Sequence, residues 1–147
     1  MIIETAEQME QLGLNIGKSL RGGEVIELIG DVGVGKTTLT HGLARGLGIT
    51  DNITSPSFTI NCNYTGRDNL TLRHYDFYRL ADAGIIAMEI TEAVNDPSSI
   101  TVVEWGENIG HCLPDDRIII QIDYDSDSGR QVNVTIPPKF SYINSEY

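Results

Sequence analysis

The residues best suited to chemistry lie in one glycine-rich run, GDVGVGKT, at residues 30–37. This run matches the pattern G-x-x-x-x-G-K-S/T, in which backbone N–H groups surround the phosphates of a nucleotide. Its glycines permit positive φ and a close approach of the backbone to the phosphates. Lys36 supplies a positive charge for the β and γ phosphates and is expected to be exposed at the loop. The Thr37 hydroxyl is placed to bind Mg²⁺. The run therefore predicts a nucleotide-phosphate site.

The same run does not decide what happens to the nucleotide. A GTPase normally carries a base-reading N-K-x-D or T-K-x-D motif, and the chain contains no Asn-Lys or Thr-Lys pair. A small-molecule kinase usually adds an arginine-bearing lid, for which Arg67, Arg73 and Arg79 are candidates, but that region is short. These observations weaken guanine specificity and leave the kinase as an alternative.

Glu104 follows the apolar run ITVV at residues 100–103. Ligands of parallel α/β sheets collect at the carboxyl ends of the strands. In nucleotide-hydrolysing proteins of this kind, a carboxylate at such a strand end holds Mg²⁺ through water or orients the attacking water. Glu104 is the predicted residue for this role; the alternative is a solvent-exposed glutamate at a strand edge.

Two further segments carry weaker signals. Asp76, within HYDFYR at residues 74–79, is predicted to support the metal or to position water. It could equally cap the following turn and pair with Arg79. The hydroxyl-rich segment SPSFT, residues 55–59, could meet the γ-phosphate or Mg²⁺, or could merely form turns.

A strand and a helix must flank the glycine-rich run if it is to bind phosphate. Residues 24–29 are mostly apolar and predict a buried strand, and residues 37–47 predict a helix that ends at Gly48. Strand, loop and helix in this order open a parallel α/β unit, which argues against a chance glycine-rich turn. An earlier helix is predicted from Thr5, which has capping-box spacing to Gln8, to the glycines at 22–23.

The remainder of the chain predicts further strands and one helix. The strands are expected at 60–64, 70–75, 100–105, 117–124 and 130–136, with a turn at 67–69 and a helix from Asp82 to about Val94. The last two strands form an antiparallel hairpin in this interpretation.

Composition limits the class of protein. The chain has 147 residues, 40% hydrophobic, which predicts a single domain over residues 1–137 and a frayed or loosely docked tail over 138–147. Acidic residues number 21 against 10 basic ones, and the net charge of −11 argues against direct binding to a nucleic-acid backbone. No apolar run is long enough to span a membrane, and the histidines and cysteines lack zinc-ligand spacing. A cytoplasmic protein without membrane partners is expected.

Four separated motifs, GDVGVGKTT, SPSFT, HYDFYRL and VVEWGE, together resemble the bacterial tRNA threonylcarbamoyladenosine biosynthesis ATPases, the TsaE family. The first motif is generic, whereas HYDFYRL and VVEW are the specific part. The resemblance runs from the first helix to the final hairpin. It implies an α/β fold, a P-loop NTPase-like three-layer sandwich whose central mixed sheet has a mainly parallel core and an antiparallel C-terminal hairpin. It also implies that ATP and Mg²⁺ bind and that ATP is hydrolysed slowly.

The resemblance also implies roles for individual residues. Lys36, Asp76 and Glu104 would be catalytic, Thr37 and Glu104 would hold Mg²⁺, and Thr5 and Arg130 would approach the adenine. The phosphates would be held by Asp31, Val32, Gly33, Val34, Gly35, Lys36, Thr37 and Thr38.

The resemblance further implies a place in tRNA modification. Family members support transfer of a threonylcarbamoyl group to the adenosine beside the anticodon, in tRNAs that read codons beginning with A. They act through a heterodimer of the transferase subunit and its inactive paralogue, so tRNA would be met only indirectly. Two functions remain open: an ATPase whose hydrolysis resets the modification complex, and a nucleotide-dependent binding module with incidental hydrolysis.

Overall fold

A seven-stranded mixed sheet forms the centre of the molecule. The computed structural model describes residues 1–56, 60–79, 84–125 and 128–146. The strands are β1 (Ile2–Ile3), β2 (Val25–Ile29), β3 (Asn61–Thr65), β4 (Thr71–Asp76), β5 (Ser99–Glu104), β6 (Ile118–Tyr124) and β7 (Arg130–Thr135). The helices are α1 (Ala6–Ser19), α2 (Lys36–Gly46) and α3 (Gly84–Val94). Within the described residues, no helix is long and apolar enough to cross a membrane.

The sheet has a parallel centre and antiparallel edges. Its spatial order is β1-β7-β6-β2-β5-β4-β3. Strands β6, β2, β5 and β4 run parallel, whereas β6 pairs with β7, β7 with β1, and β3 with β4 in antiparallel fashion. The predicted mixed sheet and C-terminal hairpin are therefore confirmed. The parallel strands bring the ends of β2, β4 and β5 to one edge, where a site is expected.

Two apolar clusters cover the two faces of the sheet. One contains side chains of α1 and α2, such as Leu12 and Leu39, packed on Ile26 and Val102. The other contains Ile90 of α3 against neighbouring strand residues. Successive side chains of a strand point to opposite faces, so the two clusters lie on opposite sides of the sheet. The sheet therefore has helices on both sides. This arrangement is the predicted three-layer sandwich.

Glycines allow α1 and α2 to touch along their backbones. A Cβ at Gly13 would lie 2.2 Å from the Leu39 carbonyl oxygen, and one at Gly42 would lie 2.1 Å from the Glu10 carbonyl oxygen. Any larger residue would force the helices apart. Helix α1 thus fixes the position of α2, which carries the glycine-rich loop at its start.

The helix termini follow the predicted chemistry closely. Thr5 caps α1, and its side chain and that of Gln8 form the reciprocal capping box. The chain leaves α1 at Leu20, two residues before the expected glycine stop. After α2, Gly48 has φ of +73° and donates to the Arg45 carbonyl at 3.0 Å, which completes a glycine C-terminal cap. The expected cap of the next helix, Asp82, lies outside the described residues.

The expectation of a frayed or loosely docked tail is wrong. Phe140 and Ile143 are buried in the apolar cluster that contains α1 and α2. The Tyr142 hydroxyl donates to the buried Glu24 carboxylate at 2.6 Å. Burial and then the Glu24 carboxylate raise the pKa of Tyr142 well above its ordinary value. Aromatic and aliphatic residues in the last ten positions therefore complete the core.

Candidate functional site

The glycine-rich loop, residues 30–37, connects β2 to α2 at the carboxyl edge of the sheet. Gly30, Gly33 and Gly35 have φ of +153°, +79° and +121°, which confirms the backbone freedom predicted for them. Gly35 is the N-cap of α2, no side chain caps the helix there, and its first turn holds no acidic residue. The N–H groups of that turn and the positive end of the helix dipole can therefore serve an anion.

Lys36 lies in a different environment from the exposed one expected for it. Its side chain is buried, and the residue is only 6% exposed. The Nζ group donates to the carbonyl oxygens of Gly30 at 2.6 Å and Asp31 at 2.8 Å, and it lies 5.0 Å from the centre of the Trp105 ring. A buried ammonium requires acceptors, and the loop supplies them from its own backbone. These bonds join the beginning of the loop to the beginning of α2.

Two side chains of the C-terminal hairpin hold the outside of the loop. The Tyr124 hydroxyl donates to the Val32 carbonyl at 3.2 Å, and Arg130 Nε donates to the Val34 carbonyl at 3.0 Å. The Arg130 guanidinium also lies over the Tyr124 ring, 4.4 Å from its centre. The hairpin thereby fixes two carbonyl groups on one side of the loop.

Two carboxylates stand side by side at the ends of β4 and β5. Asp76 and Glu104 are register partners in these parallel strands. Glu104 is 3% exposed, so the alternative of a solvent-exposed strand-edge glutamate is wrong. Its Oε1 lies 2.8 Å from Nε2 of His74, which is itself fully buried. The carboxylate is held in one orientation by this contact.

Asp76 is held more loosely than Glu104. Its Oδ1 accepts a hydrogen bond from the Tyr78 backbone N–H at 3.0 Å, which confirms that it caps the following turn. Its Oδ2 accepts a longer bond from the Ser55 hydroxyl at 3.4 Å. One Asp76 oxygen therefore binds local backbone, and the other accepts a long side-chain hydrogen bond. Residues 57–59 of the hydroxyl-rich segment lie outside the described residues.

One pocket of about 340 Å³ brings these groups together. It is lined by residues of the loop, the ends of β4 and β5 and the positions that follow them, and by Ser55. The full set is Val32, Gly33, Gly35, Lys36, Thr37, Thr38, Ser55, Asp76, Tyr78, Arg79, Glu104 and Trp105. Most of the predicted phosphate-binding residues and both predicted carboxylates therefore share one space. The Val34 side chain instead enters the core, and Asp31 contributes a carbonyl to Lys36.

Comparison with known proteins assigns the chain to a family. A family model described as "Threonylcarbamoyl adenosine biosynthesis protein TsaE" matches residues 3–132. The chain belongs to the TsaE family. The match covers the loop, both strand-end carboxylates, β6 and the first three residues of β7.

Individual TsaE relatives extend over most of the chain. The Streptomyces coelicolor protein named "tRNA threonylcarbamoyladenosine biosynthesis protein TsaE" is 41% identical over 133 residues, covering 86% of this chain and 89% of its own. The Treponema pallidum protein of the same name is 37% identical over 134 residues, covering 90% and 97%. The crystal structure of Bacillus subtilis YdiB superposes with a TM-score of 0.77 at 30% identity, over 95% of this chain and 85% of that one.

The residues that the TsaE resemblance associates with adenine also lie beside the loop. Thr5 and Arg130 line a second pocket of about 190 Å³, together with Gly33, Gly35 and Thr38. The Thr5 hydroxyl accepts the Gln8 N–H as the helix cap, and the Arg130 guanidinium donates to loop and hairpin carbonyls. Both side chains are thus anchored by the fold on the edge of this pocket.

Sequence reasoning missed His74 as the partner of Glu104. His74 and Asp76 are two residues apart in a strand and therefore share a face, which was the available signal. Trp105 has φ of +56°, and its ring lies 4.9 Å from the Tyr78 ring. The chain thus turns directly after Glu104, and two aromatic rings cover the pocket beside Lys36.

Proposed function

We propose that the 340 Å³ pocket binds the phosphates of ATP. The observation that carries this proposal is the convergence on one space of the uncapped start of α2, Lys36, and the Thr37 and Glu104 oxygens. Backbone N–H groups and a helix N-terminus favour an anion, and the lysine adds a full positive charge. The second pocket, with Thr5 and Arg130, would take the adenine.

The oxygen donors of the pocket fit Mg²⁺. The Thr37 hydroxyl and the Glu104 carboxylate are hard ligands of the kind that Mg²⁺ prefers. Within the described residues, no group of three His, Cys, Asp or Glu side chains converges on a metal site. Mg²⁺ sites need no such group, because one or two protein oxygens are completed by phosphate and water. Bound there, Mg²⁺ would neutralise charge on the β and γ phosphates.

The proposed reaction is slow hydrolysis of ATP. A water oxygen attacks the γ-phosphorus, the bond from that phosphorus to the β–γ bridging oxygen breaks, and ADP leaves. Lys36 would stabilise the charge on the phosphoryl oxygens. Asp76, whose Oδ2 accepts a 3.4 Å bond from Ser55, would orient the water and accept its proton.

The proposed biological role is support of threonylcarbamoyl transfer to the adenosine beside the anticodon, in tRNAs that read codons beginning with A. Membership in the TsaE family supports this role. The protein would act in the cytoplasm through a heterodimer of the transferase subunit and its inactive paralogue. Val32 and Tyr78 are 66% and 58% exposed on the rim of the pocket, where a partner could sense the bound nucleotide.

ATP turnover measured with and without the purified heterodimer tests this function. We expect slow hydrolysis by the protein alone and a higher rate with the heterodimer if hydrolysis resets the complex. Capture of the heterodimer by ATP-loaded but not ADP-loaded protein, with turnover unchanged, would favour the nucleotide-dependent binding module. Absence of both ATP binding and capture would contradict the proposal.

The protein alone is expected to bind tRNA weakly or not at all. Its net charge of −11 repels a polyanion. A gel-shift titration at moderate salt, with the protein alone and with the heterodimer added, measures this directly. Tight and strongly salt-dependent binding by the protein alone would instead indicate a direct RNA-binding enzyme.

A further inference from the structure

His74 is a buried polar residue that the proposed chemistry leaves without a role. It lies in the middle of β4, is 0% exposed, and contacts Glu104 Oε1 through Nε2 at 2.8 Å. Its Nδ1 atom is buried and has no hydrogen-bond partner among the described residues. Burying a histidine with one unpaired ring nitrogen costs free energy, so the contact of the other nitrogen needs an explanation.

The contact determines which ring nitrogen of His74 must donate. An ionised Glu104 only accepts hydrogen bonds, so His74 must donate through Nε2–H. An imidazolium would also place an N–H on Nδ1, where no acceptor lies within the described part of the chain. In either form of the ring, the Nε2–H group makes a charge-assisted bond to the carboxylate.

We infer that His74 is a positioning residue that aims Glu104 at the metal side of the phosphate pocket. The Nε2–H bond occupies Oε1, and no hydrogen bond from a described residue occupies Oε2. With one oxygen held, the second keeps a fixed direction within the pocket that Glu104 lines. Partners of this kind, behind a metal ligand, change metal affinity by roughly 10–100-fold when they are removed. The inference rests on the proposed Mg²⁺-ATP function.

Two substitutions at position 74 separate positioning from packing. His74→Leu removes the donor at similar volume, whereas the amide nitrogen of His74→Gln can reach the place of Nε2–H. The measured quantity is the ratio of ATP affinities in excess Mg²⁺ and in EDTA. We expect His74→Leu to reduce this ratio by about tenfold or more while affinity in EDTA stays unchanged. His74→Gln should restore most of the ratio, and the exposed His111→Gln is the matched control.

A spectroscopic measurement on the wild-type protein adds a readout that needs no nucleotide. Long-range ¹H–¹⁵N correlation spectra of the imidazoles report which ring nitrogen carries the proton, and loss of one signal set in His74→Gln assigns His74. We expect a protonated Nε2. A ring whose Nε2 carries no proton would overturn the inference even if His74→Leu failed to fold.

The outcomes distinguish the inference from the function on which it rests. A wild-type protein whose ATP affinity is absent or independent of Mg²⁺ overturns both the proposed function and the inference. A wild-type Mg²⁺ effect that His74→Leu fully retains overturns the inference alone. Equal loss in His74→Leu and His74→Gln assigns His74 to packing and also overturns it.

Discussion

The two walls of the proposed phosphate pocket are built differently. The glycine-rich loop presents backbone, and its carbonyls are held by Lys36 on the inside and by Tyr124 and Arg130 on the outside. The opposite wall consists of single side chains at the ends of β4 and β5. A backbone wall suits the phosphate charge, which is present in the bound ATP as well as in the transition state. Single carboxylates act where charge changes during the reaction. Changes in the loop wall should therefore alter affinity, and changes in the carboxylate wall should alter turnover.

The two carboxylates also differ from each other. Glu104 is buried and is held by a 2.8 Å contact to His74, whereas Asp76 is half-buried and bonds a turn N–H and, at 3.4 Å, a hydroxyl. A rigid carboxylate suits a metal ligand, and a more accessible one suits a water-orienting group. This difference predicts that Glu104→Gln and Asp76→Asn reduce turnover by different amounts.

Glu104→Gln should give the largest effect. The amide keeps the shape but loses the charge that meets the metal and the phosphoryl group, so kcat should fall by roughly 10²–10³-fold. ATP affinity in EDTA should stay unchanged, because the loop wall is intact, and affinity in excess Mg²⁺ should fall by about tenfold, well short of the loss of kcat. Steady-state hydrolysis and equilibrium ATP titration measure the two quantities, with the exposed Glu92→Gln on α3 as control. Equal losses in affinity and turnover would make Glu104 a binding residue only.

Lys36→Ala should mainly weaken binding. A charge-assisted hydrogen bond is worth about 1.5–3 kcal/mol, so ATP affinity should fall by roughly 10–150-fold. Loss of the bonds to Gly30 and Asp31 should also loosen the loop, because the ammonium is buried against them. Calorimetric titration checks the affinity and circular dichroism checks the fold, with the exposed Lys18→Ala as control. Unchanged affinity in a folded variant would refute the phosphate-binding assignment.

Asp76→Asn should have an intermediate effect on turnover. The amide can still accept the turn N–H, and solvent can partly replace the carboxylate in this half-open position. We expect kcat to fall by no more than about 10²-fold, the low end for a positioned base, with ATP affinity nearly unchanged. The exposed Asp51→Asn serves as control in the same hydrolysis assay. A loss of kcat as large as that of Glu104→Gln would show that the different hydrogen bonds of the two carboxylates do not give them different roles.

Tyr124→Phe should give the smallest effect. It removes one neutral hydrogen bond to the Val32 carbonyl but keeps the ring beneath Arg130. A net value of about 0.5–1.5 kcal/mol corresponds to a roughly 2–12-fold loss of ATP affinity. Tyr142→Phe is the matched comparison, because it loses the bond to Glu24 and should lower the free energy of unfolding without changing affinity. An effect of Tyr124→Phe confined to kcat would contradict the division between the two walls.

Local signals predicted the elements around the loop well. The Thr5 capping box, the glycine after α2 and the alternating hairpin all depend on neighbours in sequence, and each has the predicted form. The two-residue strand β1 was missed, because its pairing with β7 joins residues more than 120 positions apart. Long-range contacts of this kind leave no periodic pattern in the chain.

The same limit explains the errors in the site. The burial of Lys36 depends on the curvature of the loop, which directs two carbonyls at its ammonium. The docking of Phe140 and Ile143 depends on the surface left open beside α1. Strand-end chemistry placed Asp76 and Glu104 in one site, but only the register of β4 and β5 shows that they are direct neighbours.

Formation of threonylcarbamoyladenosine in a reconstituted mixture tests the central claim most directly. The mixture contains the purified heterodimer, activated threonylcarbamoyl donor, unmodified tRNA, Mg²⁺, and ATP at about the dissociation constant of the wild-type protein. The measured quantity is modified adenosine per heterodimer over time. We predict repeated turnover with the wild-type protein and little product without it or with Lys36→Ala. Equal product formation with wild-type protein, with Lys36→Ala and with no protein added would contradict the claim that this ATP pocket supports the modification.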